Sequence, residues 1–240
     1  MDKKPALLLS LSITLLVALN FYLIPISKET SQTAIVTRII DGDTFETSDD
    51  KTIRLNNINT PERGEPGYEE AKSFLSLYLN SSVEIDEQGL DKYRRTLGKI
   101  YTPEYLNLEI VNAGFAKKFL VEDNEAELFF NAEIKAIESE KGLWEKSVYF
   151  DCIHSNIQNN IIMLFNKCSI NTKEWTLEHE GRNKYKFLPS AFEELNVHLT
   201  SGEDNSIDLF WEDNGWNDER DTLYIFDEKH NLVHYNPDGY

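Results

Sequence analysis

The sequence predicts an α+β barrel of the OB type followed by an all-β sandwich, the two preceded by an apolar N-terminal helix. Three observations lead there. From Ala34 to Ile58 apolar and β-branched residues alternate around Gly- and Asp-rich turns (AIVTRII, DGDT, FET, SDDK, TIRLNNI), the pattern of an antiparallel meander. Further on, apolar residues at helical spacing alternate with two more strands. After Cys152 only strand and turn signals remain. The implied boundaries are 1–33 for an anchor or signal segment with a short linker, 34–148 for the barrel and 149–240 for the sandwich.

In the N-terminal segment Lys3 and Lys4 precede an apolar run from about Ala6 to Ile24, near the length that spans a bilayer. Basic residues before the run place the remainder outside the cytoplasm. A membrane anchor and a cleaved signal peptide both satisfy this pattern, and both make the rest of the chain extracytoplasmic, anchored in the one case and secreted in the other. In that compartment Cys152 and Cys168, the only two cysteines, either pair as a disulfide or stay as two buried thiols.

The meander ends at Pro61 and the Gly64–Gly67 stretch. A helix follows over Tyr68–Leu79, with Ala71, Phe74, Leu75, Tyr78 and Leu79 on one face. SVEIDE and TLGKIYTP read as strands flanking a DKYRR loop, and two further helices fall at about Tyr105–Ala113 and Glu125–Lys141. Five short strands with helices at one end describe the barrel. Gly142-Leu143-Trp144 closes it. Beyond Cys152, regular short strands separated by Asn, Gly and Asp turns describe the sandwich.

Charge limits the partners. Up to Phe150 there are 17 basic against 25 acidic residues, and after it 7 against 17, for a formal net charge of −18. Neither half offers the broad basic face on which tight duplex binding rests. An enzyme of this composition that acts on nucleic acid has to hold it locally, at the site.

One stretch has the parts for such a site. Within IVTRIIDGDTFETSDDKTIRLNNINTPE lie two carboxylates on a tight turn (Asp41, Asp43), a strand arginine (Arg54), an amide (Asn59), Thr60 and an unpaired Glu62. Arg95, in DKYRRTLGKIY, adds a second guanidinium. Oxygen donors, a base and two guanidinium groups are what metal-assisted cleavage of a phosphodiester requires.

VTRIIDGDTF, IRLNNINTPE, DKYRRTLGKIY, VNAGFAK and KGLW occur in order from roughly residue 34 to 144, and in this the chain resembles the thermonuclease (staphylococcal nuclease-like) family. The resemblance implies an OB-fold enzyme that cleaves DNA and RNA with calcium and leaves 3′-phosphates. It assigns metal binding to Asp43, Asn59 and Thr60, catalysis to Arg54, Glu62 and Arg95, and nucleotide contacts to Lys92 and Tyr93. In that scheme Glu62 takes the proton of the attacking water, the two arginines hold phosphoryl oxygens, and Asp41 orients a water from behind the metal ligands. The chain departs from the family pattern twice. It has Asn59 where an Asp is usual, which leaves an oxygen ligand with one charge fewer, and after VNAGFAK only Phe119 stands where substrate-stacking tyrosines are expected.

The strands after about residue 158, with NKCSINTKEWTLEHE, KYKFLP and SIDLFWEDNGWNDERDTLYIFDEKHNLVHY, resemble the lamin-tail domain. That resemblance implies an immunoglobulin-like sandwich without an enzymatic site and with an unknown partner. Trp175, Trp211 and Trp216 are expected in its core, and His230 and His234 on a hairpin. The leading expectation is a calcium-dependent extracytoplasmic nuclease; the competing one is a non-catalytic surface module that binds nucleic acid or mediates adhesion.

Overall fold

The computed structural model describes residues 32–186, 192–212 and 215–240. The apolar N-terminal run lies outside the described residues. Among the described residues no helix is long and apolar enough to cross a membrane.

Three strands open the fold: β1 (Gln32–Ile39), β2 (Thr44–Thr47) and β3 (Thr52–Leu55). They pair antiparallel in sequence order, as the alternation predicts. A two-residue strand β4 (Ile58–Asn59), helix α1 (Tyr68–Ser76), β5 (Ser82–Leu90) and β6 (Thr96–Tyr101) follow. Strands β1-β2-β3-β6-β5 close into a barrel. Closure uses a parallel pairing of β3 with β6, so Arg54 lies opposite Leu97. The alternating apolar side chains Val36, Phe45, Ile53, Val83, Ile85 and Ile100 fill the interior, each at most 1% exposed.

Helix α2 (Leu106–Asn112), the short strand β7 (Lys117–Lys118) and helix α3 (Asp123–Glu138) cover one end of the barrel, and a 3₁₀ turn over Gly142–Trp144 ends this part. Strand β7 pairs with β4, which puts Lys117 opposite Asn59.

The remaining strands are β8 (Ile153–Gln158), β9 (Ile161–Asn166), β10 (Thr176–Glu178), β11 (Lys184–Lys186), β12 (Glu194–His198), β13 (Asp208–Phe210), β14 (Asp221–Phe226) and β15 (Leu232–Asp238). They form two four-stranded sheets, β11-β10-β14-β15 and β13-β12-β9-β8. Ile162, Leu164 and Val197 from one sheet meet Leu177, Leu223 and Ile225 from the other in a single core that includes Trp175 and Trp211, with Trp216 packed at its edge. One pairing within the sheets, β12 with β13, is parallel. Cys152 and Cys168 are joined as a disulfide that ties the entry of β8 to the exit of β9.

These sheets pack on helix α3 and the 3₁₀ turn that follow the barrel strands. Ala136, Ile137, Leu143 and Trp144 share an apolar cluster with Tyr224, Phe226 and Leu232. Beside it Lys118, fully buried, lies 2.7 Å from Glu133 of α3 and 2.7 Å from Glu180, and donates to the Thr222 hydroxyl at 2.6 Å. A buried cation of this kind is tolerated only with its charge and all its donors matched.

Candidate active site

The site is built on the barrel rim between β1 and β2. Gly42 lets the Asp-Gly-Asp turn press against the rest of the rim: a Cβ there would come 2.7 Å from that of Ala71 on α1 and 2.8 Å from Thr60 Oγ1. The close approach buries Asp43 to 1% exposure. Its carboxylate accepts from the Thr44 hydroxyl at 2.8 Å and from the Thr60 N–H at 3.4 Å, and lies 3.1 Å from the Arg54 guanidinium. Asp41 turns back on it and accepts the Asp43 N–H at 3.2 Å. Burial, together with the charge of Asp43, pushes the Asp41 carboxyl up to about 6.

Arg54 is 7% exposed and extensively engaged. It donates to the carbonyls of Leu55 (2.6 Å) and Ile58 (3.0 Å) and to Asn59 Oδ1 (2.7 Å). Burial pushes its pKa down; Asp43 opposes this, while the cations Arg182 and Arg95 add to it. Three guanidinium groups therefore share one electrostatic neighbourhood.

Arg95 is aimed by Asp91, whose carboxylate accepts from Arg95 Nε at 2.7 Å and from the main-chain N–H groups of Tyr93 and Arg95 at 2.8 and 2.9 Å. This turns the DKYRR loop into a rigid support, with Arg94 in the left-handed region (φ 67°). Arg95 also reaches the Thr44 hydroxyl at 3.4 Å. Tyr93 is 68% exposed, with the Arg95 guanidinium 5.5 Å and the Lys92 ammonium 5.1 Å from its ring centre. Arg54, Arg95, Lys92, Tyr93 and Phe119 line a cleft of about 480 Å³.

The structure thus brings Asp41, Asp43, Arg54, Asn59, Thr60 and Arg95 together, with Lys92 and Tyr93 on the same cleft. Glu62 requires a correction. It is not unpaired: Arg182, on the turn between β10 and β11, forms an ion pair with it and lies 3.8 Å from Asp43. Sequence reading missed this because the partner comes from the far part of the chain and carries no local motif. Asp91 was also missed, although an Asp four residues before an Arg across a tight turn is a readable signal.

The donor set suits a hard, oxygen-loving cation. Asp41 and Asp43 set two carboxylates side by side; burial first, and the charge of Asp43 second, raise the Asp41 carboxyl, and a bound cation would relieve the repulsion between the two. Asn59 Oδ1 already accepts one bond from Arg54, which leaves an amide oxygen one further lone pair. Among the described residues no group of three or more His, Cys, Asp or Glu converges on one point, so with Asp43 as the acidic donor the amide, main chain, water and phosphate would have to supply the rest.

Residues 52–146 match the family model described as Staphylococcal nuclease homologue. The matched segment contains Arg54, Asn59, Thr60, Glu62, Lys92, Tyr93 and Arg95; the Asp-Gly-Asp turn lies just before it. An "Uncharacterized endonuclease" of Escherichia coli O157:H7 is 36% identical over 87 residues, 34% of this chain and 57% of that protein. The "Micrococcal nuclease" of Shigella flexneri is 36% identical over 72 residues, 28% of this chain and 41% of that protein. The "Thermonuclease" of Staphylococcus hyicus is 28% identical over 134 residues, 50% of this chain and 79% of that protein. The chain spans 57% or less of the first two. On barrel, matched segment and relatives together, residues 52–146 belong to a staphylococcal-nuclease-like domain.

Proposed function

We propose that the chain is a calcium-dependent endonuclease that hydrolyses phosphodiester bonds in DNA and RNA. One observation carries this reading: Arg54, Arg95 and Glu62 are grouped at one rim around the buried carboxylate of Asp43. Asp43, Asn59 and Thr60, with Asp41 behind them, hold the cation. When bound, calcium supplies positive charge that polarises the scissile phosphate. Arg95, fixed by Asp91, grips a phosphoryl oxygen and stabilises the charge that grows on it. Arg54 acts at the same place from a buried position, where low dielectric strengthens its field. Glu62, released from Arg182, accepts the proton of the attacking water. Tyr93 gives a base a face to stack on, and Lys92 meets the backbone.

The C-terminal sheets fit a lamin-tail-like sandwich, a reading supported by two four-stranded sheets around one core. Its partner is a separate question from the cleavage chemistry. An extracytoplasmic location, by membrane anchor or secretion, is supported by the basic-then-apolar N-terminus and by the Cys152–Cys168 disulfide.

The test is cleavage of heat-denatured DNA and of RNA at fixed ionic strength, with calcium titrated from micromolar to millimolar and then chelated. Cutting that appears with calcium and stops with chelator supports the proposal. The competing reading, a non-catalytic binding module, is favoured by the Arg182–Glu62 pair and predicts binding without cutting at every calcium level.

A further inference from the structure

We propose that Arg182 is a substrate-binding residue of the nuclease site, a guanidinium supplied by the C-terminal sheets for a phosphate of the nucleic-acid chain; this rests on the nuclease reading above. The site is then composite.

The turn that carries Arg182 is fixed to the rim by buried contacts. Asn59 Nδ2 donates to the Glu180 carbonyl at 2.9 Å, and the Glu180 N–H donates to Asp221 at 3.1 Å. His179 Nδ1 lies 2.8 Å from the same Asp221 carboxylate. Gly181 is required here, because a Cβ would fall 2.4 Å from the His179 ring. Next to the turn Lys184 pairs with Glu65 at 3.0 Å. The backbone bearing Arg182 is therefore preorganised, and its side chain lines the same cleft as Arg54, Arg95, Lys92 and Tyr93.

The three guanidinium groups differ in how far the protein has already used them. Arg54 is buried and donates to two carbonyls and an amide, besides pairing with Asp43. Arg95 is held by Asp91. Arg182 has a 45% exposed side chain, and its partner Glu62 is 48% exposed. Of the three it has the most exposed side chain, against 23% for Arg95 and 8% for Arg54.

That exposure also decides between substrate binding and inhibition. A solvent-exposed ion pair biases an equilibrium by no more than about fivefold. Holding Glu62 closed against catalysis needs a bias of roughly a hundredfold. The pair is too weak to act as a lock, and an incoming phosphate, which accepts a guanidinium bidentately, competes for Arg182 on favourable terms. Moving Arg182 onto phosphate also frees Glu62, so substrate arrival and release of the base are coupled.

The experiment uses the full chain as wild type, Arg182→Gln, Arg182→Lys and, as a charge-matched control, Lys173→Gln at an exposed position on the approach to β10. The first readout is anisotropy of a short fluorescein-labelled single-stranded oligothymidylate, with chelator present, across a KCl series. The second is kcat/KM on denatured DNA in calcium. Arg182→Gln should weaken binding about tenfold at low salt and reduce the salt slope by about 0.7, the contribution of one phosphate contact on a single strand. It should lower kcat/KM at least as much, with the thermal midpoint unchanged. Arg182→Lys should keep the salt slope and recover part of the rate, and Lys173→Gln should match wild type. Wild-type affinity and slope in Arg182→Gln, absent binding by wild type, or faster cutting by Arg182→Gln would each overturn the proposal. If wild type binds but does not cut, the nuclease reading fails while the binding series still decides the role of Arg182.

Discussion

The side-chain nitrogen of Asn59 donates a 2.9 Å hydrogen bond to the main-chain carbonyl of Glu180, 121 residues further along the chain. The other end of the same amide accepts from Arg54 at 2.7 Å. Asn59 therefore joins the barrel rim to the C-terminal sheets while facing the proposed metal site. An amide at this position can both accept from the guanidinium and donate to the carbonyl, which a carboxylate cannot.

It follows that Asn59→Asp does more than add a ligand charge. A carboxylate would set an acceptor against the Glu180 carbonyl in a buried place, a mismatch that costs about 1–3 kcal/mol. The urea midpoint should fall accordingly without a change in m-value. An unchanged midpoint would remove the structural explanation of Asn59.

Lys118 holds the junction from deeper in. Replacing it with Met leaves Glu133 and Glu180 buried together without their cation, although each lies 2.7 Å from its ammonium in the intact protein. Losing one partner of a buried pair costs on the order of 3–5 kcal/mol. Lys118→Met should therefore lower the denaturant midpoint far more than Lys173→Gln on the surface.

Glu178 sets part of the acid limb of stability. Burial works against its charged form, but Lys117 at 2.6 Å and Lys184 at 3.0 Å outweigh burial and hold the carboxyl down at about 2. Because this pKa is depressed in the folded state, the contribution is present above the ordinary carboxylate value of 4.5 and is lost as pH falls from there toward 2. A shift of this size is worth about 3 kcal/mol. In Glu178→Gln the stability curve should be flatter between those limits, as unfolding in urea at stepped pH would show.

Much of the barrel was legible because strand alternation and turn chemistry are local. The meander from Ala34 and the helix beginning at Tyr68 both follow from nearest neighbours. Element ends were less so: α1 stops at Ser76 rather than Leu79, since the chain turns through Asn80 at φ 63° to enter β5. Strand β5 runs past Glu87 to Leu90 through a bulge between Glu87 and Gly89, and the Gly89 φ of 131° suits glycine. Of the site, Arg54, Glu62 and Arg95 were readable from ordered motifs. Arg182 and Glu180 were not, because their meaning arises only when two separately patterned parts of the chain dock. The parallel β3–β6 and β12–β13 pairings escaped because strand alternation does not say which other strand lies alongside or in which direction it runs.

The most direct test of the nuclease account compares wild type with Glu62→Gln on denatured DNA, at fixed ionic strength and saturating calcium. Glu62→Gln keeps the size of the side chain but cannot accept the water's proton. The account predicts calcium-dependent cutting by wild type and a loss of about a hundredfold or more in Glu62→Gln, with oligonucleotide binding retained. Equal cutting by the two proteins, or none by wild type at any calcium concentration, would contradict it.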